Sequence, residues 1–319
     1  MVHVKFVSKY HEAQKRHRDT DERADVTESW LDLSTVDSWR HERMLSYLDP
    51  FLEKHPGSLW LTVGDGRYAY ETRYLVRHDS RADVTTSDLS EKLLSESLRL
   101  GLIQKYSVEN CEELSFQDES FDFVLCKESL HHFPRPFLAL YEMIRVGKRA
   151  VIIIEPNDPQ LSPEYYRQYQ RVENGYISSR DILRTLLRRV GLIGLVRKIR
   201  GIPVEPQYPE VLASYEPSGN FMYGISEREL EKVALGIGLP VAAFATFSDY
   251  YEDGVEFEPT SPESKLFQKV KANIAQAEAA CKYNLLCAVL FKVSPDESLQ
   301  QAMKASSFCI KNLPKNPYL

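Results

Sequence analysis

LTVGDGRYAY, at residues 61–70, is the stretch of this chain on which its interpretation depends. An apolar, β-prone run leads into it and breaks at Gly64-Asp65-Gly66, after which a helix is predicted to open. Strand, glycine turn and helix in that order bring backbone N–H groups close to a nucleotide ligand. Asp88 follows about twenty residues later, at the end of a second short strand, where an acid would bind both ribose hydroxyls. With two of the usual three glycines present, an ordinary tight loop is the alternative.

Length and composition narrow the class of protein. The 319 residues suffice for one large domain or two small ones, and 43% hydrophobic with 27% charged residues are ordinary for a soluble globular protein. A net charge of -6 disfavours a general nucleic-acid binder, which would carry a basic face. The five cysteines include no CxxC pair, which favours reduced thiols in the cytoplasm over disulfides or a zinc site. We expect neither a signal peptide nor a membrane span, since the start is charged and no apolar run approaches roughly 18 residues.

Residues 58–156 alternate short apolar runs of strand length with amphipathic helical segments. Such βα units in series predict an α/β fold with a doubly wound, mostly parallel sheet, because parallel neighbours need crossover helices. In these sheets the ligand lies at the carboxyl ends of the strands. Gly64, Asp88, Asn110 and Lys127 all fall at predicted strand ends, so we expect them along one edge of the sheet.

Several short motifs carry a resemblance to a known family. They are NCEELSF at residues 110–116, FDFV at 121–124, LHHF at 130–133, and Glu142 with Arg145-Val146. As a set they resemble the class I S-adenosylmethionine-dependent methyltransferases, in the branch with an LHHF motif after the fourth strand. The resemblance covers about residues 58–156 and implies a Rossmann-like methyltransferase fold with S-adenosylmethionine as the cofactor.

The resemblance also implies which residues contact the cofactor. They are Gly64, Asp65 and Gly66 at the methionine moiety, Asp88 with the neighbouring Leu89 at the ribose hydroxyls, Asn110 and Cys111 at the adenine edge, and Lys127 beside the methionine pocket.

Three positions depart from the family pattern. Thr62 stands where the family usually has an acid that holds the methionine amino group, often through water, and Asp65 or Glu71 is a candidate to compensate. Tyr68 stands at the position of the third glycine. Asn110 replaces the usual Asp, although its amide can still hydrogen-bond adenine in an orientation that the sequence leaves open.

The segments outside the core divide into three. Residues 1–57 are predicted to be a helical segment on the edge of the sheet, with its Trp39-Arg40 turn as a candidate cover for the cofactor pocket. Residues 157–225 lose the βα rhythm and are rich in tyrosine, which predicts an inserted lid that binds the acceptor. Residues 226–319 are predicted to complete the core with an antiparallel strand pair, followed by a polar, only partly ordered tail.

His131 and His132 follow the fourth strand at the cofactor edge and are the candidates for a catalytic base. The sulfonium already activates the methyl group, so the protein must mainly align the acceptor. A hydroxyl acceptor also loses a proton, for which a base with a pKa near neutral is useful. Packing or backbone-bonding roles are the alternative for both histidines. No cluster has metal-ligand spacing, so no metal is predicted.

We therefore expect a cytoplasmic methyltransferase that acts on a small or medium polar acceptor, more readily at oxygen than at nitrogen. A sugar, a glycan intermediate or a secondary metabolite would suit the tyrosine-rich insertion. The alternatives are N-methylation of a small molecule, a degenerate cofactor-binding protein that acts through partner contacts, and an NAD-dependent oxidoreductase. The oligomeric state is left open, with a homodimer as one option.

Overall fold

A computed structural model describes residues 2–20, 28–158, 213–215, 221–315 and 317 of the chain. In this part of the chain the strands are β1 (Leu59–Val63), β2 (Asp83–Asp88), β3 (Tyr106–Val108), β4 (Phe121–Lys127), β5 (Gly147–Pro156), β6 (Ala213–Tyr215), β7 (Phe221–Tyr223), β8 (Val241–Phe247), β9 (Leu285–Phe291) and β10 (Cys309–Asn312). The α-helices described there are α1 (Val2–Asp19), α2 (Val36–Leu45), α3 (Asp49–Lys54), α4 (Tyr70–His78), α5 (Glu91–Arg99), α6 (Pro136–Val146), α7 (Glu227–Gly236), α8 (Lys265–Ala279) and α9 (Glu297–Ala305).

The central sheet of the described residues has eight strands in the order β10-β8-β9-β5-β4-β1-β2-β3. Strands β1 to β5 run parallel to one another, whereas β8, β9 and β10 pair antiparallel. The chain winds outward from β1 to β3 and then crosses back to place β4 on the other side of β1. This confirms the predicted doubly wound, mostly parallel α/β sheet and puts its topological switch point between β1 and β4.

The sheet is buried on both faces because successive side chains of its strands point to opposite sides. In β1, Trp60 packs into the cluster that contains Phe51 and Phe123, while Leu61 and Val63 belong to the cluster on the other face. Helix α5 begins at a side-chain cap. The hydroxyl of Ser90 accepts from the Leu93 N–H at 3.2 Å.

The polar tail after Ser294 is more ordered than its composition predicts. It forms α9 and then β10, which pairs antiparallel with β8. Asp296 caps α9 by accepting from the Leu299 N–H at 2.9 Å. Leu299 and Met303, one helical turn apart, bury the inner face of α9 against the core. The prediction of a partly ordered tail is therefore wrong for this segment, because two apolar residues at helical spacing suffice to dock it.

The lid predicted over residues 157–225 lies for the most part outside the described residues. Within that range the structure describes residues 157 and 158, the short antiparallel pair of β6 and β7, and the approach to α7, where Ile225 forms a parallel bridge with Asn157. No helix in the described part of the chain combines the length and the apolar character that crossing a membrane requires.

Candidate functional site

A cavity of about 980 Å³ opens at the carboxyl ends of β1, β2, β4 and β5. Its position at the switch point of the sheet is where open α/β sheets bind their ligands. Nine of the ten residues predicted for the site line this cavity: Gly64, Asp65, Asp88, Leu89, Asn110, Cys111, Lys127, His131 and His132. The volume is at the upper end of the roughly 300–1,000 Å³ that small-molecule pockets span, which leaves room for a cofactor and an acceptor together.

Gly66, the tenth predicted residue, does not line the cavity. A side chain at Gly66 would place its Cβ 2.6 Å from the Asp88 Cγ, so this glycine makes room for the acid. Gly64 does line the cavity; its φ of +80° and the Ser129 hydroxyl, 2.5 Å from an added Cβ, both require glycine there. Tyr68, at the position of the missing third glycine, adopts a φ of +54° and so makes a glycine-like turn without glycine.

The Asp88 carboxylate lies over the glycine turn, at the end of β2. It accepts from the Ser90 N–H at 2.7 Å, which fixes its direction at the start of α5. Burial raises the pKa of Asp88 from its ordinary value, while the Ser90 N–H and the nearby Arg18 charge oppose that rise. The acid therefore faces the cavity next to the glycine turn.

Asn110 and Cys111 lie beyond the end of β3. The Asn110 Oδ1 accepts from the Glu112 N–H at 3.1 Å, which fixes the amide orientation that the sequence left open. The Asn110 Nδ2 consequently turns toward His11 of α1, with its Nδ1 at 3.5 Å. Burial and the neighbouring Glu112 raise the pKa of the Cys111 thiol, so this cysteine stays protonated and is no nucleophile.

Lys127, the last residue of β4, is almost entirely buried. Its Nζ donates to the His41 Nδ1 at 2.8 Å and to the Glu128 carboxylate, and lies 3.6 Å from the Glu71 Oε1. Burial opposes the positive charge, but Glu128 and Glu71 raise the pKa of Lys127 above its ordinary value. Burial and the Lys127 charge lower the pKa of His41, so its imidazole is neutral. Lys127 thus lines the cavity as an ammonium that already donates to His41 and Glu128.

His131 is oriented by an acid that the sequence did not single out. Its Nδ1 pairs with the carboxylate of Glu155, near the end of β5, which leaves Nε2 as the nitrogen able to take a proton. Glu155 is 1% exposed and also accepts from the Ser129 and Leu130 N–H groups at 2.8 and 2.7 Å. Burial opposes protonation of His131, but the Glu155 charge outweighs it and raises the pKa. The His132 ring packs against His131, with 4.1 Å between centroids.

Helix α1 lies across the mouth of the cavity. Its carbonyl groups accept from Lys92 (Nζ to the Asp19 O, 2.6 Å) and from Arg67 (Nη2 to the Arg18 O, 3.1 Å). Gln14 of the same helix donates to the backbone carbonyl of His132. These contacts tie α1 to the glycine turn, to α5 and to the segment after β4. Helix α1 therefore lines the site, whereas the sequence predicted packing on the sheet edge with the Trp39-Arg40 turn as the candidate cover.

The predicted Trp39-Arg40 cover needs correction. Both residues lie inside α2 rather than in a turn, and only Arg40 lines the cavity. Trp39 points away and packs edge-on against Phe267 of α8, at 5.0 Å between ring centroids. Arg40 is held by Asp37 at 2.6 Å and by Asp249, beyond β8.

Further residues line the cavity that the sequence patterns did not indicate, and they share a polar or aromatic character: Trp30, Asp37, His41, Glu128, Tyr251, Asp253 and Glu256. The acidic loop after β8 supplies the last three, and it docks on α2 through the Asp37 N–H, which donates to the Val255 carbonyl at 3.0 Å. The sequence signal for Tyr251, Asp253 and Glu256 was the acidic character of that loop.

Comparisons with known proteins bear on the core. Residues 61–154 match the family model described as "Methyltransferase domain". No curated protein matches the chain. Among solved structures, magnesium protoporphyrin IX methyltransferase from Synechocystis PCC 6803, with bound SAM, is similar at 12% identity and a TM-score of 0.48, over 88% of this chain and 96% of that one. A SAM-dependent methyltransferase from Thermotoga maritima is similar at 15% identity and a TM-score of 0.42, over 78% and 89% of the two chains.

Another SAM-dependent methyltransferase, from Methanosarcina mazei, is similar at 16% identity and a TM-score of 0.41, over 75% of this chain and 93% of that one. Such likenesses concern the fold and say nothing of an acceptor. The family match covers the segment that carries the glycine turn, β1 to β4 and most of β5. The match therefore identifies residues 61–154 as a methyltransferase domain and the chain as an enzyme that uses S-adenosylmethionine as its cofactor.

Proposed function

We propose that the chain transfers a methyl group from S-adenosylmethionine to a hydroxyl oxygen of a small or medium polar acceptor, such as a sugar, a glycan intermediate or a secondary metabolite. The observation that carries the proposal is the pairing of His131 with the buried Glu155 on the wall of the cavity. A hydroxyl acceptor needs a base near neutral pH, and an imidazole oriented by a carboxylate meets that need.

The residues at the strand ends fit the cofactor. The Asp88 carboxylate can accept from two ribose hydroxyls, and the Asn110 amide can hydrogen-bond an adenine edge. Gly64 lets the backbone approach a ligand closely, because a Cβ there would already meet Ser129. These features support the roles that the family resemblance implies, and they support its LHHF branch, since His131 and His132 belong to that motif.

Bound S-adenosylmethionine supplies a methyl group already activated by its positive sulfur. The protein's part is to bind the acceptor, orient it, exclude water and take the hydroxyl proton. His131 would take that proton at Nε2 while Glu155 stabilises the resulting imidazolium. Since Glu155 raises the pKa of His131 above its ordinary value, the rate would rise with pH through a pKa above about 6.5. Helix α1 and the segment after β4 would close the cavity to water.

N-methylation of a small amine is the second candidate, and a specific observation favours it. Carboxylates of Asp37, Glu128, Asp253 and Glu256 line the cavity. Arg40 and Lys127, which line the same cavity, are already held by carboxylates in ion pairs. A wall of this charge would attract a cationic acceptor.

A methyl-transfer assay tests the proposal. Radiolabelled S-adenosylmethionine is incubated with panels of sugars, nucleotide sugars, phenols and amines, and NMR of any product assigns the new methyl to oxygen or nitrogen. We expect O-methylated product, and a roughly 10²- to 10⁴-fold lower kcat in His131→Asn with cofactor affinity retained. His78→Asn, on the outer surface of α4, is the matched control and should keep full activity. Product methylated at nitrogen alone, or full activity of His131→Asn, would contradict the proposal.

A further inference from the structure

Thr62, at the position of the family's usual acid, cannot contact a ligand in the cavity. Its side chain is fully buried in the sheet and does not line the cavity. Its hydroxyl lies 3.0 Å from the Thr72 hydroxyl of α4. The group that receives the cofactor's amino group must therefore lie elsewhere.

A chain of three buried hydroxyls leads to Asp65 instead. The Thr72 Oγ1 lies 2.7 Å from the Asp65 Oδ2 and 2.9 Å from the Thr86 Oγ1, with Thr62 on its other side. A hydroxyl has one proton to donate, and a carboxylate can only accept. The Thr72 proton is therefore directed to Asp65, while Thr62 and Thr86 donate to Thr72. The N–H groups of Thr72 and Glu71 add hydrogen bonds to the same carboxylate at 2.9 and 3.2 Å.

Glu71 places a second carboxyl next to Asp65 at the cavity wall. Both side chains line the cavity, and the Glu71 charge acts on Asp65. Burial and the neighbouring Glu71 raise the pKa of Asp65 well above its ordinary value. A ligand cation between the two carboxyls would favour the ionised form of Asp65.

Among the described residues, Lys127 of β4 is the cation within ion-pair distance of Glu71. Its Nζ lies 3.6 Å from the Glu71 Oε1, while its hydrogen bonds go to His41 and Glu128. Arg73, also on α4, donates to the carbonyl of Trp30 at 2.8 Å. The carboxyls of Asp65, Glu71 and Glu128 thus share one ammonium, which leaves this wall attractive to a ligand cation.

We propose that Asp65 and Glu71 together bind the α-ammonium of the methionine moiety of S-adenosylmethionine, in place of the acid that the family carries at the position of Thr62. Asp65 is fixed by the threonine hydroxyls and Glu71 reaches into the cavity. Because the ligand's ammonium favours the ionised form of Asp65, a proton held there is released to solvent on binding. The proposal rests on the cofactor alone and holds whichever acceptor the enzyme uses.

Two ligands separate this interaction from the rest of cofactor binding. S-Adenosylhomocysteine carries the ammonium, and 5′-methylthioadenosine lacks the whole amino-acid part. We expect Glu71→Gln to weaken S-adenosylhomocysteine binding in calorimetric titration by roughly 10- to 100-fold, while 5′-methylthioadenosine binding stays within about 3-fold. Glu96→Gln, on the outer side of α5, is the matched control and should change neither affinity. Asp65→Asn should behave as Glu71→Gln does if it folds; if it does not, Glu71→Gln decides alone.

Proton release supplies a second readout. At pH 6.5 the ligand's amino group is fully charged, so titrations in phosphate and in imidazole buffer report protons lost by the protein. We expect release with S-adenosylhomocysteine, none with 5′-methylthioadenosine, and less in Glu71→Gln. Equal weakening of both ligands, or no weakening of either, would overturn the proposal. If the wild-type chain bound neither ligand, the cofactor itself would be wrong, which is a different outcome from a wrong ammonium site.

Discussion

Replacing Glu155 by Gln tests whether one buried carboxylate both shapes the segment after β4 and orients His131. Glutamine keeps the shape and can still accept from the Ser129 and Leu130 N–H groups with its carbonyl oxygen. What it loses is the charge on the oxygen that faces His131. Breaking a buried ion pair costs about 3–5 kcal/mol. Because the His131 side chain is 15% exposed, we expect the free energy of unfolding to fall by about 2–3 kcal/mol at pH 6.

The pH dependence of this loss follows from the direction of the pKa shift. The folded-state pKa of His131 is raised by Glu155 above the unfolded value of about 6.5. The ion pair therefore contributes fully below about pH 6.5, and its contribution is lost as the pH rises through the folded-state pKa. The difference between wild type and Glu155→Gln should be largest at pH 6 and smallest at pH 9.

Urea unfolding at pH 6, 7, 8 and 9, together with an NMR titration of the His131 ring, measures both effects. Glu142→Gln is the matched control, since Glu142 pairs with Arg145 at 2.7 Å and both side chains are partly exposed to solvent. Arg145 holds the pKa of Glu142 below its ordinary value, so that pair stays charged from pH 6 to 9. The control should lose at most about 1 kcal/mol, with no pH dependence. An unshifted His131 pKa in Glu155→Gln, or a loss that does not vary with pH, would refute the reasoning.

Three further outcomes follow from the structure. Gly66→Ala should weaken S-adenosylhomocysteine binding at least about 10-fold, because the added Cβ meets Asp88. Gly236→Ala, whose Cβ has nothing within 4 Å, should leave the affinity unchanged, and equal affinities of the two variants would contradict the prediction. Lys127→Met should lower the free energy of unfolding by about 2–3 kcal/mol, measured in urea, since it leaves the partly exposed carboxylates of Glu71 and Glu128 without their cation; an unchanged midpoint would contradict it. Removing residues 1–20 should speed the dissociation of S-adenosylhomocysteine by more than about 10-fold in stopped flow, with little change in melting temperature. An unchanged dissociation rate would argue against α1 as a cover.

The strand-end residues could be predicted from the sequence because they depend on local patterns. Short β-prone runs fix where β1, β2 and β4 end, and the doubly wound topology then brings Gly64, Asp88 and Lys127 to one edge. Asn110 stands where the family usually has Asp, but its position could still be predicted because the surrounding motif keeps its spacing.

The remaining parts of the site depend on contacts between distant segments, which no local pattern encodes. Arg40 pairs with Asp249, 209 residues further along the chain. Glu155 was visible only as the last acid of a strand, and its role appears once β5 lies beside β4. The cover formed by α1 also could not be predicted, because its polar helix has no apolar stripe that points to a partner. Docking by hydrogen bonds to backbone carbonyls leaves little trace in hydrophobic periodicity.

The central claim is that the strand ends hold S-adenosylmethionine with its ribose on Asp88. Calorimetric titration of S-adenosylhomocysteine into wild type, Asp88→Ala and Asp83→Ala tests this most directly, since Asp83 is an exposed acid at the other end of the same strand. We predict micromolar binding to wild type and Asp83→Ala, weakened roughly 10- to 100-fold in Asp88→Ala. No binding to the wild-type chain, or equal binding to all three proteins, would contradict the account.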